Sequence, residues 1–343
     1  MPARPSISVV LPVFDAAATL PRALDSIHAQ TLTDWELIAV DDGSTDASPR
    51  LLDRARALDP RIRVVSRPHA GIAPALNAGI AAAQAELVAR MDADDECLPT
   101  RLERLAATLQ SDPELGLVAS LVEYAGDRES HAGYAAHVDW INSVRTPEDI
   151  RLQRFVESPF AHPSVAFRRA TVSRLGGYRD GPFPEDYELW LRWMEAGVSM
   201  TKLPEVLLRW TDHSQRLSRA DPRYSADAFY RLKAVYLARW LHRHLNPGRS
   251  LLVWGAGRLT RRRVDFLATQ GFPPTAFIDI DPDKQGLPRH GREVWAPDRL
   301  ATLPPDERPF VLGYVANRGA REQQREFLIR LGWQEGTDFL FAA

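Results

Sequence analysis

Residues 92–96 read Asp-Ala-Asp-Asp-Glu, four acids in five positions, directly after an apolar run. Like charges held that closely repel. Two readings are open: a solvated acidic turn, or a site for a hard divalent cation, which prefers carboxylate oxygens. On an extended segment, side chains two positions apart point the same way, so Asp92 and Asp94 can present both carboxylates in one direction. A second acidic pair, Asp41-Asp42, opens a turn of Gly43, Ser44 and Thr45. A third, Glu185-Asp186, follows Pro184 at the start of a helix-like segment, where the helix N-terminus is expected to favour an ionised carboxylate. Near the other end, Gly255-Ala256-Gly257 leaves a strand-like run and opens a helix-like one, as a dinucleotide-binding turn does, and Asp279 follows at about the spacing of a ribose-binding acid.

These residues need elements to hold them. Short apolar runs at 7–14, 61–67 and 85–92, and a strand that runs into a turn over 35–46, alternate with helix-like stretches at 19–30, 48–58, 71–84 and 99–110. Leu20, Leu24 and Ile27 show the helical spacing, as do Leu102, Leu105 and Leu109. Such alternation predicts an α/β fold with a mostly parallel sheet covered on both faces. Ligands then bind beyond the carboxyl ends of the strands, and both Asp41-Asp42 and the 92–95 acids fall there. The middle, about 111–220, is less regular. A helix is predicted over about 225–245, and a fresh strand–helix alternation begins at 251.

The chain has 343 residues, room for two or three domains. Lys and Arg number 43 against 45 Asp and Glu, which gives no electrostatic reason to expect nucleic acid as a partner. No apolar stretch approaches the roughly 20 residues of a membrane-spanning helix. The N-terminal apolar run reads as the first strand and not as a signal peptide. The single cysteine, Cys97, excludes an intrachain disulfide and a cysteine zinc framework, reads as a small buried hydrophobe, and fits a cytoplasmic setting.

The segments "VVLPVFDAAATLPRALDSI", "AVDDGSTDAS", "LNAGIAAAQAELVARMDADD", "HPSVAFRR" and "PEDYELWLRW", in this order, resemble a family-2 glycosyltransferase with the GT-A fold. The resemblance implies a GT-A domain over 1–220, a Rossmann-like mixed sheet with helices on both faces. A helical linker is expected at 221–247, and a small Rossmann-like α/β domain at 248–343. It implies inverting sugar transfer from a nucleotide-diphosphate donor, UDP- or dTDP-linked, to a glycan or lipid-linked acceptor, assisted by Mn2+ or Mg2+. By resemblance, Asp92 lies near ribose and metal, Asp94 is the main metal ligand, and His213, which Ser214 follows, completes the metal shell or touches the diphosphate. Asp41 accepts a hydrogen bond from the base, Pro12 and Phe14 line the same pocket, and Asn77 and Arg90 flank the nucleotide. Asp42 either joins the base-binding turn or only caps it. Arg216 meets phosphate oxygens. Asp186 is the general base, with Glu185 and Trp190 on the acceptor side and Trp193 in the core. His162 takes a structural or acceptor-side role.

The C-terminal unit departs from the dinucleotide fingerprint, because Thr260 stands where a third glycine is usual and the unit is short. NAD is not expected there, and a structural or partner-docking role is favoured. Two other classes remain as alternatives: a nucleotide-binding regulatory or scaffold protein that has lost transfer, and a C-terminal oxidoreductase. Peripheral association with the inner face of a membrane is left open.

Overall fold

A computed structural model describes residues 4–213, 216–317 and 319–343. The chain divides into two compact units, Met1–Ile150 with Ser158–Asp221, and Arg151–Glu157 with Pro222–Ala343.

The first unit is built on one eight-stranded sheet. Its strands are β1 (Ile7–Val13), β2 (Trp35–Asp41), β3 (Ile62–Ser66), β4 (Leu87–Arg90), β5 (Glu96–Cys97), β6 (Leu115–Ala125), β7 (Val165–Arg168) and β8 (Ser199–Thr211). Their order across the sheet is β3-β2-β1-β4-β7-β6-β8-β5. The first four strands are parallel. The sheet then turns mixed: β7 runs antiparallel to both β4 and β6, and β6 pairs parallel with β8. β2 is buried along its whole length, as a strand covered on both faces must be. Val9, Leu11 and Val13 face a layer that includes the helices Leu20–His28 and Arg101–Ser111, while Val10 faces the helices Ile72–Ala82 and Glu185–Glu195. The Ile72–Ala82 helix sits so close to the sheet that a Cβ on Gly79 would stand 2.5 Å from Val10 Cγ1.

Register sets the site. Val13 pairs with Asp41 and Val10 with Arg90, so the turns after β1, β2 and β4 leave the same edge of the sheet. The acidic turn is pinned on its far side by β5, which pairs with Leu208 and Arg209 of β8. The helix Ser48–Leu58 begins at Ser48 itself, and the Ser48 hydroxyl accepts the Ala16 N–H at 2.9 Å and does not cap its own helix.

The second unit holds a five-stranded sheet, all parallel: β9 (Leu251–Trp254), β10 (Ala276–Ile278), β11 (Val294–Trp295), β12 (Phe310–Gly313) and β13 (Phe339–Phe341). Their order, β11-β10-β9-β12-β13, is that of an open doubly wound sheet with a reversal between β9 and β12. The helix Ala226–His244, expected as a linker, belongs to this unit, as does the short stretch Arg151–Glu157. Lys233 shows why. Its fully buried ammonium donates to the carbonyls of Phe155, Val156 and Ala342 at 3.1, 2.9 and 2.8 Å, and so ties three distant segments together. Among the described residues, no helix is long and apolar enough to cross a membrane.

Burial brings the Lys233 pKa down to about 7. Between that value and the ordinary lysine range the unfolded chain binds the extra proton, so this site's stability contribution grows as pH rises from 7 toward 10. Lys233→Met leaves three buried carbonyls without a donor and should cost about 2–4 kcal/mol. Urea unfolding at pH 7 and pH 9 should show that loss together with a flatter pH dependence; an unchanged slope would assign the pH dependence elsewhere.

Candidate active site

The acidic turn is reached from β4, whose last residue is Arg90. Asp92 and Asp94 are partly exposed and Asp95 is fully buried, and one carboxylate oxygen from each comes within 4.8 Å of the others. The chain meets the resulting repulsion with its own cations. The buried Arg90 pairs with Asp92 through Nη1. Arg216, also buried, reaches Asp92 at 3.6 Å and Asp95 at 3.7 Å, donates to the Thr211 carbonyl and lies over the Trp210 ring. Burial works against its charge, yet Asp95, Asp94 and Asp92 together hold the Arg216 pKa above its ordinary value.

Asp95 accepts the Thr211 N–H at 2.8 Å through one oxygen, while its other oxygen has no hydrogen-bond partner. Burial pushes its pKa well up, with Asp94 and Asp92 adding to the effect and Arg216 opposing it. His213 Nε2 stands 2.8 Å from Asp94 Oδ2, and this pair is the more open part of the cluster. Ser214, the neighbour that the family resemblance invokes, lies outside the described residues.

The neighbouring turn is held by acids of a different kind. Asp41 is buried at the end of β2 and accepts the Ser44 N–H at 3.0 Å. Asp42 is buried too, but its carboxylate is engaged by Arg67 at 3.2 Å, by His69 at 2.9 Å and by the N–H groups of Ala70 and Gly71. Of the two roles open to Asp42, the geometry gives the turn-holding one: it fixes the loop that leads into the helix Ile72–Ala82. Gly43 allows the close approach, since a Cβ there would stand 2.7 Å from His69 N in a left-handed backbone. Phe14 is half exposed and stacks on the His69 ring with centroids 4.1 Å apart, which presents a flat face at the mouth of the turn. Pro12, on β1, is partly exposed two residues earlier.

Asp186 is the second residue of the helix Glu185–Glu195 and accepts the Tyr187 N–H at 2.7 Å. The helix N-terminus does not keep it acidic. Burial and the adjacent Glu185 push its pKa up to about 7, against the pull of Arg90. Glu185, expected on the acceptor side, is instead almost fully buried with Oε1 3.8 Å from His162 Nδ1. His162 in turn shares a 2.8 Å hydrogen bond with the Tyr178 hydroxyl. Burial keeps His162 well below its ordinary pKa, with Arg90 and Arg216 adding to that, so its ring is neutral near pH 7.

Two further expectations are corrected. Asn77 does not turn to a nucleotide: its amide donates to the Tyr178 carbonyl at 2.8 Å and accepts the Tyr178 N–H at 2.9 Å, a clamp on the loop that leads to Asp186. Trp190 has no exposed surface and packs edge-on against Phe160, His162 and Trp193, so it is core, as Trp193 is. Three contributors were not singled out from the sequence. Arg22 donates to the Asp94 carbonyl at 3.1 Å and pairs with Glu96. His69 carries the Phe14 stack. Arg101, fully buried, donates to the carbonyls of Arg90 at 2.7 Å and Pro163 at 2.5 Å. Arg22 and Arg101 read locally as ordinary helix residues, and nothing in their spacing marks them.

Residues 8–176 match the family described as glycosyl transferase family 2. Among curated proteins, the amylovoran biosynthesis glycosyltransferase AmsE of Erwinia amylovora is 33% identical over 195 residues, spanning 55% of this chain and 69% of that protein. The UDP-Gal:alpha-D-GlcNAc-diphosphoundecaprenol beta-1,3-galactosyltransferase of Escherichia coli is 28% identical over 207 residues, 60% of this chain and 73% of that one. Among solved structures, S. aureus TarS 1–349 in complex with UDP-GlcNAc aligns with a TM-score of 0.54 at 15% identity, covering 77% of this chain and 71% of that one. At that identity the likeness concerns the fold, and it agrees with the GT-A architecture of the first unit. With AmsE as a relative across most of its length, and with the family's pattern running from β1 to Gly176, this chain belongs to glycosyl transferase family 2 and is a glycosyltransferase.

Proposed function

We propose that the protein moves a sugar from a nucleotide-diphosphate donor, UDP- or dTDP-linked, to a hydroxyl of a glycan or lipid-linked acceptor, with inversion at the anomeric carbon. The observation that carries this reading is the meeting of Asp92, Asp94 and Asp95 within 4.8 Å just beyond the carboxyl end of β4. The donor set suits Mn2+ or Mg2+: hard oxygens on a turn, one imidazole, and a buried Asp95 oxygen without a partner. Asp92, Asp94 and His213 are the residues that would hold the ion. When bound, it offsets the negative charge that gathers on the diphosphate as the sugar leaves. Arg216 supplies fixed positive charge at the same place. Asp41 accepts from a pyrimidine N–H, and the exposed face of Phe14, with Pro12 behind it, covers the base. The printed names of relatives lend support: one is a UDP-Gal enzyme acting on a diphosphoundecaprenol-linked sugar, and TarS was solved with UDP-GlcNAc.

Asp186 takes the proton of the acceptor hydroxyl as its oxygen attacks the anomeric carbon and the bond to the diphosphate oxygen breaks. A carboxyl group with a pKa of about 7 is ionised in useful fraction at neutral pH, and is a stronger base than an ordinary aspartate. Glu185 sustains that basicity by repulsion, and Asn77 and Tyr178 hold the loop beside it.

Three outcomes test this. Asp94→Ala should weaken UDP binding in the presence of Mn2+ by at least about tenfold, read by calorimetry; equal binding with and without the ion in the parent protein would sink the metal assignment. Asp186→Asn should bind donor normally and lose transfer by about 10²–10⁴-fold; turnover within a few-fold of the parent would remove Asp186 as base. The kcat/KM profile should fall below pH 7 as Asp186 takes up its proton. Glu185→Gln, which removes the repulsion, should move that limb to lower pH, and an unmoved limb would mean that another group titrates.

A further inference from the structure

The turn after β9 is not used by this chemistry. Gly255 has φ 124, a left-handed conformation that suits glycine alone, and its N–H donates to the Ile278 carbonyl at 2.7 Å. Thr260, in place of the usual third glycine, packs against Gly255 and donates to the Tyr314 carbonyl at 3.2 Å, so the helix still closes on the sheet. Gly257 is different. Its φ of −64 suits any residue, and nothing lies within 4 Å of where a Cβ would stand. The protein's own packing does not require glycine there. Bare backbone faces open space at the N-terminus of the helix Arg258–Ala268, eleven residues long and without a side-chain cap. Such an end presents N–H groups and positive potential to an anion.

A crevice of about 900 Å³ opens at this point, lined by the end of β9 and by the segment that follows β12, where the strand order reverses. That is where open parallel sheets take their ligands, and the volume suits a small molecule. Asp279, just after β10, lines it and is fixed against the glycine turn: it accepts the Ala256 N–H at 2.8 Å and the Asp281 N–H at 3.0 Å and pairs with Lys284 at 3.3 Å. Leu259 and Ile280 line it as well, 53% and 72% exposed, two large apolar side chains left in water at its mouth. Deeper in the wall, the Tyr314 hydroxyl and Gln324 Oε1 are buried without hydrogen-bond partners, on residues only 1% and 6% exposed. Buried polar atoms left unpaired cost about 1–3 kcal/mol each, which a ligand or its water recovers.

We propose that this crevice is a second, metal-independent site that binds a ribonucleotide. Its phosphate sits on the Gly257 turn beside Arg258, its ribose diol meets Asp279, and its base lies on Leu259 and Ile280. The site stands apart from the roles given to Asp94 and Asp186. Either a nucleoside diphosphate or a dinucleotide supplies the shared chemistry. The length of the unit and Thr260 argue against it when read from the sequence; the strand order, the open Gly257 and the unpaired wall argue for it.

The test is calorimetric titration of the full chain with ADP, UDP and NAD+ in EDTA, which silences a metal-dependent site. At least one of the three should bind with about one equivalent and a Kd below about 1 mM. Gly257→Glu, which places a side chain and a negative charge in open space, should keep the melting temperature and weaken that binding at least about tenfold. Asp94→Ala should leave it unchanged. Binding of NAD+ alone identifies a dinucleotide, and binding of ADP or UDP as tight as NAD+ identifies the mononucleotide unit. No binding in EDTA, binding indifferent to Gly257→Glu, or binding lost only in Asp94→Ala would each overturn the proposal.

Discussion

The first unit is organised around the repulsion within its acidic turn. Two carboxylates about 4 Å apart repel by about 4 kcal/mol at an effective dielectric constant near 20, and three of them converge here. A solvated turn would let water screen them, but Asp95 has no exposed surface. The fold offsets the charge instead with guanidinium groups. Arg90 arrives from inside β4, and Arg216 arrives after β8 and is braced by Trp210 and the Thr211 carbonyl. Arg101, in turn, holds the Arg90 backbone through its carbonyl. Strand order follows from this need. β8 must pass close enough to deliver Thr211 N–H to Asp95, and its antiparallel pairing with β5 provides that approach.

The same logic separates the acids by function. Asp42 has both carboxylate oxygens engaged, by backbone N–H groups, Arg67 and His69, and Asp95 has one oxygen on the Thr211 N–H beside Arg216, so both shape turns. Asp94 keeps one imidazole partner and partial exposure, which leaves its carboxylate the one in the cluster that faces no arginine directly among the described residues. Asp186 is a third case. It has a helix N-terminus, which favours ionisation, and a buried glutamate neighbour, which opposes it. Burial and Glu185 prevail, because a helix end contributes only about 0.3–1 kcal/mol in ordinary surroundings.

Much of the parallel core was legible in the sequence because each strand and helix there carries its own period. β1 to β4 and the helices between them fall within the stretches read from spacing. The antiparallel half was not legible. β6 pairs with β8 across some eighty residues, with register shifts near Ser120 and Leu121, and β8 contains Pro204 and Lys202 in what reads as an irregular polar stretch. Long-range partnering has no local signature. Asn77 sits where the family lines a nucleotide pocket, but its partner is the backbone of Tyr178, 101 residues away. Trp190 has helical spacing that leaves core and surface equally open, and only the arrival of Phe160 and His162 settles it as core.

Both units place polar turns at the carboxyl ends of parallel strands, yet they solve the handling of negative charge in opposite ways. In the first, the turn is itself anionic, so a phosphate can approach only with positive charge interposed, from the arginines or a cation. In the second, the turn carries no charge of its own at Gly255, Ala256 and Gly257. There the attraction comes from uncapped helix N–H groups and the exposed Arg258. The residue types follow from that difference. Carboxylates suit a turn that could hold a cation, and glycine suits one whose backbone could come within hydrogen-bond distance of an oxygen. Gly257 makes the point most directly, because neither its dihedral angles nor its neighbours restrict the residue type, and its open side leaves the backbone within reach of an anion.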